Sequence, residues 1–157
     1  MKRFVFMLAV FCTSIGLLHA QTAEQMDAIL DTSEVTYAMA AFVVLPAAGL
    51  LSEDSTPDAA FTEALARSYL PANAEAAGII RLGELSFLIM RAFDMKSGLL
   101  YALFPGPRYA YREMAYRKLI QGRNDPALTV SGERLLRIIG RVLDHHDLDR
   151  SHSRGYP

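Results

Sequence analysis

The chain has 157 residues, of which 52% are hydrophobic, and a formal net charge of −1 at pH 7. Its one cysteine, Cys12, lies in an apolar N-terminal run, so the remainder of the chain has neither disulfides nor thiolate metal sites. That remainder is long enough for one domain, which must be stabilised by its hydrophobic core.

Residues 1–20 have the three parts of a secretory signal peptide. Lys2 and Arg3 precede an apolar run over residues 4–18, and Ala20 supplies the small residue before a cleavage site. The run is shorter than the ~20 apolar residues of a bilayer span. We therefore expect cleavage and export to the periplasm or cell envelope, with a retained N-terminal anchor as the alternative.

Charge is unevenly distributed along the rest of the chain. Residues 21–80 contain nine acidic residues and one basic residue, whereas residues 81–157 contain thirteen basic and eight acidic residues. The two halves either attract each other across a shared interface, or the basic half meets an anionic polymer. Export argues against nucleic acid as that polymer.

Helical periodicity dominates in chain order, and strand signals are weak, so the sequence predicts an all-α fold. Helices are expected over residues 22–30, 34–51, 57–69, 81–95, 108–120 and 132–144, followed by a polar, disordered tail over residues 145–157. Ser55-Thr56-Pro57 and Ser131 are helix start signals, and Gly122 is a stop signal.

The segment from Val35 to Leu51 is almost free of polar groups and has two interpretations. It is either a central core helix or a membrane span. It is short, contains Pro46 and is flanked by Glu34 and Glu53, which favours the core. An integral membrane component that uses this span is the alternative, and we expect no membrane span after signal cleavage.

Two segments align without a gap at an offset of 50 residues, Ile80–Phe93 with Val130–Leu143. Their apolar positions fall on one helical face, so each helix needs a partner. The face predicts that Leu88, Ile89, Ile138 and Ile139 are buried. Each segment follows another helix, so the expected architecture is two helix-loop-helix repeats packed as a small bundle.

With these repeats the chain resembles the S-layer homology (SLH) family. Its first helix reads roughly W-A-x-x-A-I-x-x-L-x-x-x-G-I-I, and its second opens V-T-R-A-E-F and continues L-L-x-R. The first pattern is matched by Tyr37, Ala38, Ala41, Phe42, Leu45, Gly49, Leu50 and Leu51, and the second by Ile80, Glu84, Leu85, Leu88, Ile89 and Arg91. A looser second copy includes Met114, Leu119, Ile120, Gly122, Val130, Ser131, Leu135, Ile138, Ile139 and Arg141.

The resemblance implies a domain over residues 21–144 with units at about 34–94 and 106–144. Family members hold cell-wall polysaccharide with a motif arginine, in grooves between three repeats. The position of that arginine is Leu82 in the first unit and Gly132 in the second. The resemblance therefore implies the fold more strongly than the glycan site.

No catalytic machinery or cofactor site is expected. A catalytic triad needs a histidine held close to a nucleophile, and His145, His146 and His152 all fall in the predicted tail. These histidines with nearby aspartates match no metal site of defined spacing. The sequence thus predicts a non-enzymatic protein without a metal or cofactor.

Arginines and tyrosines are interleaved between residues 108 and 141, where they form the candidate ligand site. Arginine forks suit phosphate or carboxylate, and tyrosine rings stack on sugar faces. The predicted ligand-binding residues are Arg108, Tyr109, Tyr111, Arg112, Arg137 and Arg141. The alternative without a ligand is a solvated helix face whose tyrosines are half-buried in the core. The expected partner is an anionic cell-wall polysaccharide or an envelope protein.

An aromatic, apolar loop runs from Tyr101 to Tyr109 and reads Y-A-L-F-P-G-P-R-Y. Such a loop either lies against the core or is exposed as a contact patch. The sequence leaves both interpretations open.

Overall fold

The structure is a computed structural model that describes residues 26–95, 98–123 and 125–154. The described residues form helices and no strand, which confirms the all-α prediction. The helices are α1 (residues 26–30), α2 (Tyr37–Ala47), α3 (Pro57–Ala66), α4 (Leu82–Ala92), α5 (Leu99–Leu103), α6 (Pro107–Tyr116) and α7 (Gly132–Arg154). The predicted signal peptide lies outside the described residues.

The starts of α2, α3 and α7 are capped by local side chains. Thr36 accepts a hydrogen bond from the Met39 N–H at 3.2 Å, and Thr56 does the same for Ala59 at 3.3 Å. Ser131 accepts from the Arg134 N–H at 3.3 Å. These hydroxyls satisfy backbone donors that a helix leaves unpaired in its first turn.

Helix α2 is the central core helix. It is apolar on all sides and packs against α3, α4 and α7. Val44 and Leu45 are fully buried, and the helix ends two residues before Gly49, which has a φ of +70°. Its 11 residues correspond to about 16 Å of helix. Within the described ranges, no helix combines the length and the apolar character that a membrane crossing requires.

The predicted buried face is confirmed. Leu88 and Ile89 on α4 are fully buried, and Ile138 and Ile139 on α7 are 1% and 5% exposed. The two most extensive helix contacts are those of α4 with α6 and of α2 with α3. The apolar side chains of both pairs belong to one continuous core.

Three extended segments meet at the centre of the fold, each just before a helix. The Val35 N–H donates to the Val130 carbonyl at 2.8 Å, and the Ile80 N–H donates to the Val35 carbonyl at 3.0 Å. All three side chains are fully buried. We call these three residues the central junction, because they link the starts of α2, α4 and α7.

The 50-residue correspondence extends further back than Ile80. Helices α3 and α6 begin at Pro57 and Pro107, and each has an ion pair between its last turn and the residue after it, Glu63–Arg67 at 2.7 Å and Glu113–Arg117 at 2.9 Å. Both helices then turn at a residue with positive φ, Ser68 at 57° and Lys118 at 60°. Helix α3, rather than α2, therefore stands 50 residues before α6.

Helix α7 is longer than the sequence predicts, and residues 155–157 of the predicted tail lie outside the described residues. The expected helix ended at Asp144, with disorder from residue 145, whereas α7 continues to Arg154. Neither glycine nor proline interrupts residues 141–154, and the His146 ring makes an edge contact with Phe93, 5.8 Å between centroids. Helix α5 was also not expected, because breaker residues follow it closely.

Candidate functional site

A groove of about 460 Å³ lies between the loop after α6 and the first turns of α7. We call it the arginine groove. It is lined by Gln121, Gly122, Arg123, Ser131, Arg134, Arg137, Ile138 and Arg141. Four of its eight lining residues carry a guanidinium group, so the groove presents a concentrated positive charge.

Arg134 closes one wall of the groove. Its Nη2 donates to the Arg123 carbonyl oxygen at 2.6 Å and, more weakly, to the Gln121 carbonyl oxygen at 3.4 Å. The side chain is half-buried, and no carboxylate of the described chain lies within ion-pair distance. Its positive charge is therefore fixed in position by neutral carbonyl groups.

Arg141 is held in the same manner at the other end. Its Nη1 donates to the Leu119 carbonyl oxygen at 3.2 Å, and its Nη2 donates to Oε1 of Gln121 at 3.1 Å. Both guanidinium groups thus connect the loop to α7 through hydrogen bonds to uncharged oxygen atoms. Such pre-positioned donors lose less freedom when they bind an anion than mobile surface side chains do.

Arg137 lies between them and has an acidic partner. Its Nη2 is 2.9 Å from Oε1 of Glu133, one helical turn earlier, and the two side chains are 59% and 63% exposed. An exposed pair of this kind contributes only about 0.3–0.5 kcal/mol. An anionic ligand therefore meets little competition for Arg137.

The predicted site residues do not all come together. Arg137 and Arg141 line the arginine groove, but the four residues of α6, Arg108, Tyr109, Tyr111 and Arg112, do not. Arg108 and Arg112 are exposed, Tyr109 is half-buried, and Tyr111 is buried at 8% exposure.

Tyr111 lies close enough to the groove to be influenced by its charge. Burial raises the pKa of the Tyr111 hydroxyl, the charge of Asp125 raises it further, and Arg134 lowers it. Because its ring is buried, Tyr111 is not available to stack on a sugar.

Two groove residues, Arg123 and Arg134, were not among the predicted site residues. Arg134, Arg137 and Arg141 share one face of α7 at spacings of three and four residues, so the helical pattern contained a signal for Arg134. Arg123 follows Gly122 in the loop. No periodicity in the sequence relates that position to the face of α7.

A second cleft, also about 460 Å³, corresponds in part to the groove. Its lining includes Arg91 and Tyr69, which stand 50 residues before Arg141 and Leu119. The Arg91 guanidinium carbon lies 5.7 Å from the centre of the Tyr69 ring. The corresponding positions are thus in contact in both halves of the chain. The arginine contacts the Tyr69 ring in the first half and the Leu119 carbonyl oxygen in the second.

The part of the chain that the structure describes has no cluster of metal-binding side chains. Across residues 26–95, 98–123 and 125–154, no three His, Cys, Asp or Glu side chains converge on one point. His145 and His146 lie near the middle of α7, where the His146 ring contacts Phe93.

Comparison of the chain with known protein families, with curated proteins and with solved structures finds no match. The resemblance to the SLH family rests on the sequence pattern and stays a prediction.

Proposed function

We propose that this chain is a non-catalytic, exported module of the cell envelope that binds an anionic wall polysaccharide in the arginine groove. The observation that carries the proposal is the set of four arginines around one concavity, two of which are held by carbonyl groups. Guanidinium groups pair with carboxylate or phosphate through two parallel hydrogen bonds, which fits a polymer bearing either group.

The SLH resemblance supports a wall-binding role but points to a different surface. A Cβ atom at Gly132 would collide with the Ile29 carbonyl oxygen, and Leu82 is fully buried. Neither motif position therefore has room for an exposed arginine. In this proposal the charge comes instead from Arg134, Arg137 and Arg141, further along α7.

The repeat architecture belongs to the same proposal. We take α3 with α4 and α6 with α7 as two helix-loop-helix units, and the segment before α2 as the remnant of a third. The central junction is consistent with this division, since it joins one extended segment from each.

Co-sedimentation with purified peptidoglycan sacculi tests the function. We expect pelleting at low salt and its loss at high salt, because exposed charges are screened beyond ~8 Å at physiological ionic strength. Arg137→Gln should reduce pelleting without disturbing the loop. Arg67→Gln is the matched control, because Arg67 also forms an exposed pair with a glutamate four residues earlier.

If Arg137→Gln and the double variant Arg137→Gln with Arg141→Gln both pelleted as much as the unmodified protein, the groove would be excluded as the binding site. Absence of pelleting by the unmodified protein would exclude the wall polymer and direct the search to an envelope protein.

A further inference from the structure

The last residue of α5 and the first residue of the loop that follows it are large, exposed apolar side chains. Leu103 is 61% exposed and Phe104 is 62% exposed, whereas Tyr101 in the same aromatic segment is buried at 8%. The segment therefore divides, with its beginning against the core and its tip in solvent. The Phe104 and Tyr109 rings are 6.2 Å apart and tilted by 31°, so the tip is supported by α6.

The helix that follows this tip carries two exposed positive charges. Arg108 and Arg112 are both exposed and stand one helical turn apart on α6. Neither is within ion-pair distance of a carboxylate in the described ranges, while Glu113 on the same helix is paired with Arg117. We call Leu103, Phe104, Arg108 and Arg112 the α6 patch.

We infer that the α6 patch docks the protein on the surface of an anionic lipid bilayer. Leu103 and Phe104 enter the boundary between headgroups and acyl chains, and the two arginines lie at the level of the lipid phosphates. Apolar side chains flanked by cations are the composition of an interfacial membrane contact, and aromatic rings are favoured at that depth. The charge of the patch complements an anionic membrane surface.

Neither half of the patch suffices by itself. Two apolar side chains bury too little area for stable attachment, and arginines alone give only salt-sensitive attraction. The inference is independent of the arginine groove, because Arg108 and Arg112 do not line it.

Tryptophan fluorescence tests the docking, since the chain contains no tryptophan. Phe104→Trp in the full chain places one reporter in the patch. We expect its emission to shift to the blue on addition of vesicles containing equal parts of phosphatidylglycerol and phosphatidylcholine, and to be quenched by brominated acyl chains. Leu148→Trp is the matched control, because Leu148 is also 61% exposed but lies on α7.

The contribution of the two arginines is measured with the same Phe104→Trp reporter. Adding Arg108→Gln and Arg112→Gln should weaken partition to the anionic vesicles by roughly fivefold for each arginine removed. Adding Arg137→Gln with Arg141→Gln instead should leave the partition to anionic vesicles unchanged. Pure phosphatidylcholine vesicles should give a much smaller response.

An unchanged Phe104→Trp spectrum with anionic vesicles would overturn the inference and leave the patch as a protein-binding surface. An equal response from Leu148→Trp would also overturn it, because insertion into the bilayer would then not be specific to the α6 patch.

Discussion

Arg141 donates a hydrogen bond to the backbone carbonyl of Leu119 over 3.2 Å, across 22 positions of sequence. Arg91 contacts the ring of Tyr69, which is also 22 positions earlier in the sequence. The arginine thus fastens the end of one helix pair in both halves of the chain. In the second half this residue, Arg141, also lines the arginine groove. One side chain therefore has a structural role and a proposed binding role.

The two arginines of the groove should differ in their effect on stability. Arg141→Ala removes hydrogen bonds to the Leu119 carbonyl and to Gln121, and should lower the free energy of unfolding by about 1 kcal/mol. Arg137→Ala removes an exposed ion pair and should change it by less than about 0.5 kcal/mol. Urea titrations of both variants measure the difference, and equal losses would contradict the role assigned to Arg141.

Two glycines of α7 should respond to alanine in opposite directions. A Cβ at Gly132 would collide with the Ile29 carbonyl, so Gly132→Ala should destabilise the fold by about 1–3 kcal/mol. Gly140 has nothing within 4 Å of its Cβ position, so Gly140→Ala should stabilise α7 by about 0.5–1 kcal/mol. Thermal unfolding distinguishes them, and a neutral Gly132→Ala would show that α1 does not lie against α7.

A charge at the buried face should unfold the domain. Ile89 is fully buried, and an aspartate there would lack any partner, so Ile89→Asp should lose the cooperative thermal transition. Ile89→Val, which keeps an apolar side chain, should cost only about 0.5–1.5 kcal/mol. Circular dichroism during heating provides the measurement. An Ile89→Asp variant that melts like the parent would show that the helical phase is wrong.

Removal of one hydroxyl should stabilise the protein. The Tyr101 hydroxyl is buried and has no hydrogen-bond partner among the described residues, while its ring is 6.3 Å from that of Phe87. Tyr101→Phe keeps the ring and should raise the free energy of unfolding by about 1 kcal/mol, because an unsatisfied buried polar group is eliminated. Tyr101→Leu serves as the control and should be less stable than Tyr101→Phe. A destabilised Tyr101→Phe would indicate a partner for the hydroxyl.

Stability should decline in alkali. Burial raises the pKa of the Tyr37 hydroxyl well above its ordinary value, the carboxylate of Glu84 raises it further, and Arg81 lowers it. In the unfolded chain tyrosine titrates near about 10. The folded state therefore keeps its proton at a pH where the unfolded state releases it, so the stabilisation is complete below about pH 10 and is lost as the pH rises above it.

Tyr37→Phe should make this decline shallower, whereas Tyr116→Phe, at a position 85% exposed, should leave it unchanged. Urea midpoints measured from about pH 8 to about pH 11 provide the comparison. Identical slopes for Tyr37→Phe and the unmodified protein would exclude Tyr37 as the group responsible.

The buried faces were predictable because apolar spacing and burial have the same physical cause. Leu88 and Ile138 repeat at helical intervals, and both are buried. Helix α5 was not predictable, since five residues beside a Pro-Gly-Pro cluster are too few for a periodic signal. The continuation of α7 depends in part on a contact between His146 and Phe93, which are distant in sequence.

The candidate site was predictable only along a single helix. Arg137 and Arg141 are adjacent on α7 by periodicity, but their meeting with Arg123 depends on how Arg134 and Gln121 fold the loop back. Arg108 and Arg112 on α6 do not line the groove, and Tyr111 on the same helix is buried. Hydropathy does not distinguish that inward tyrosine from an exposed one.

The central junction also determines when this protein can fold. Its backbone bonds join residues separated by 45 and 95 positions, so the second of them cannot form until residue 130 is available. A nascent chain that ends before that residue leaves the Val35 amide without its native acceptor. Completion of the core therefore waits for the last third of the chain, and these long separations predict slower folding than in helical bundles with only local contacts.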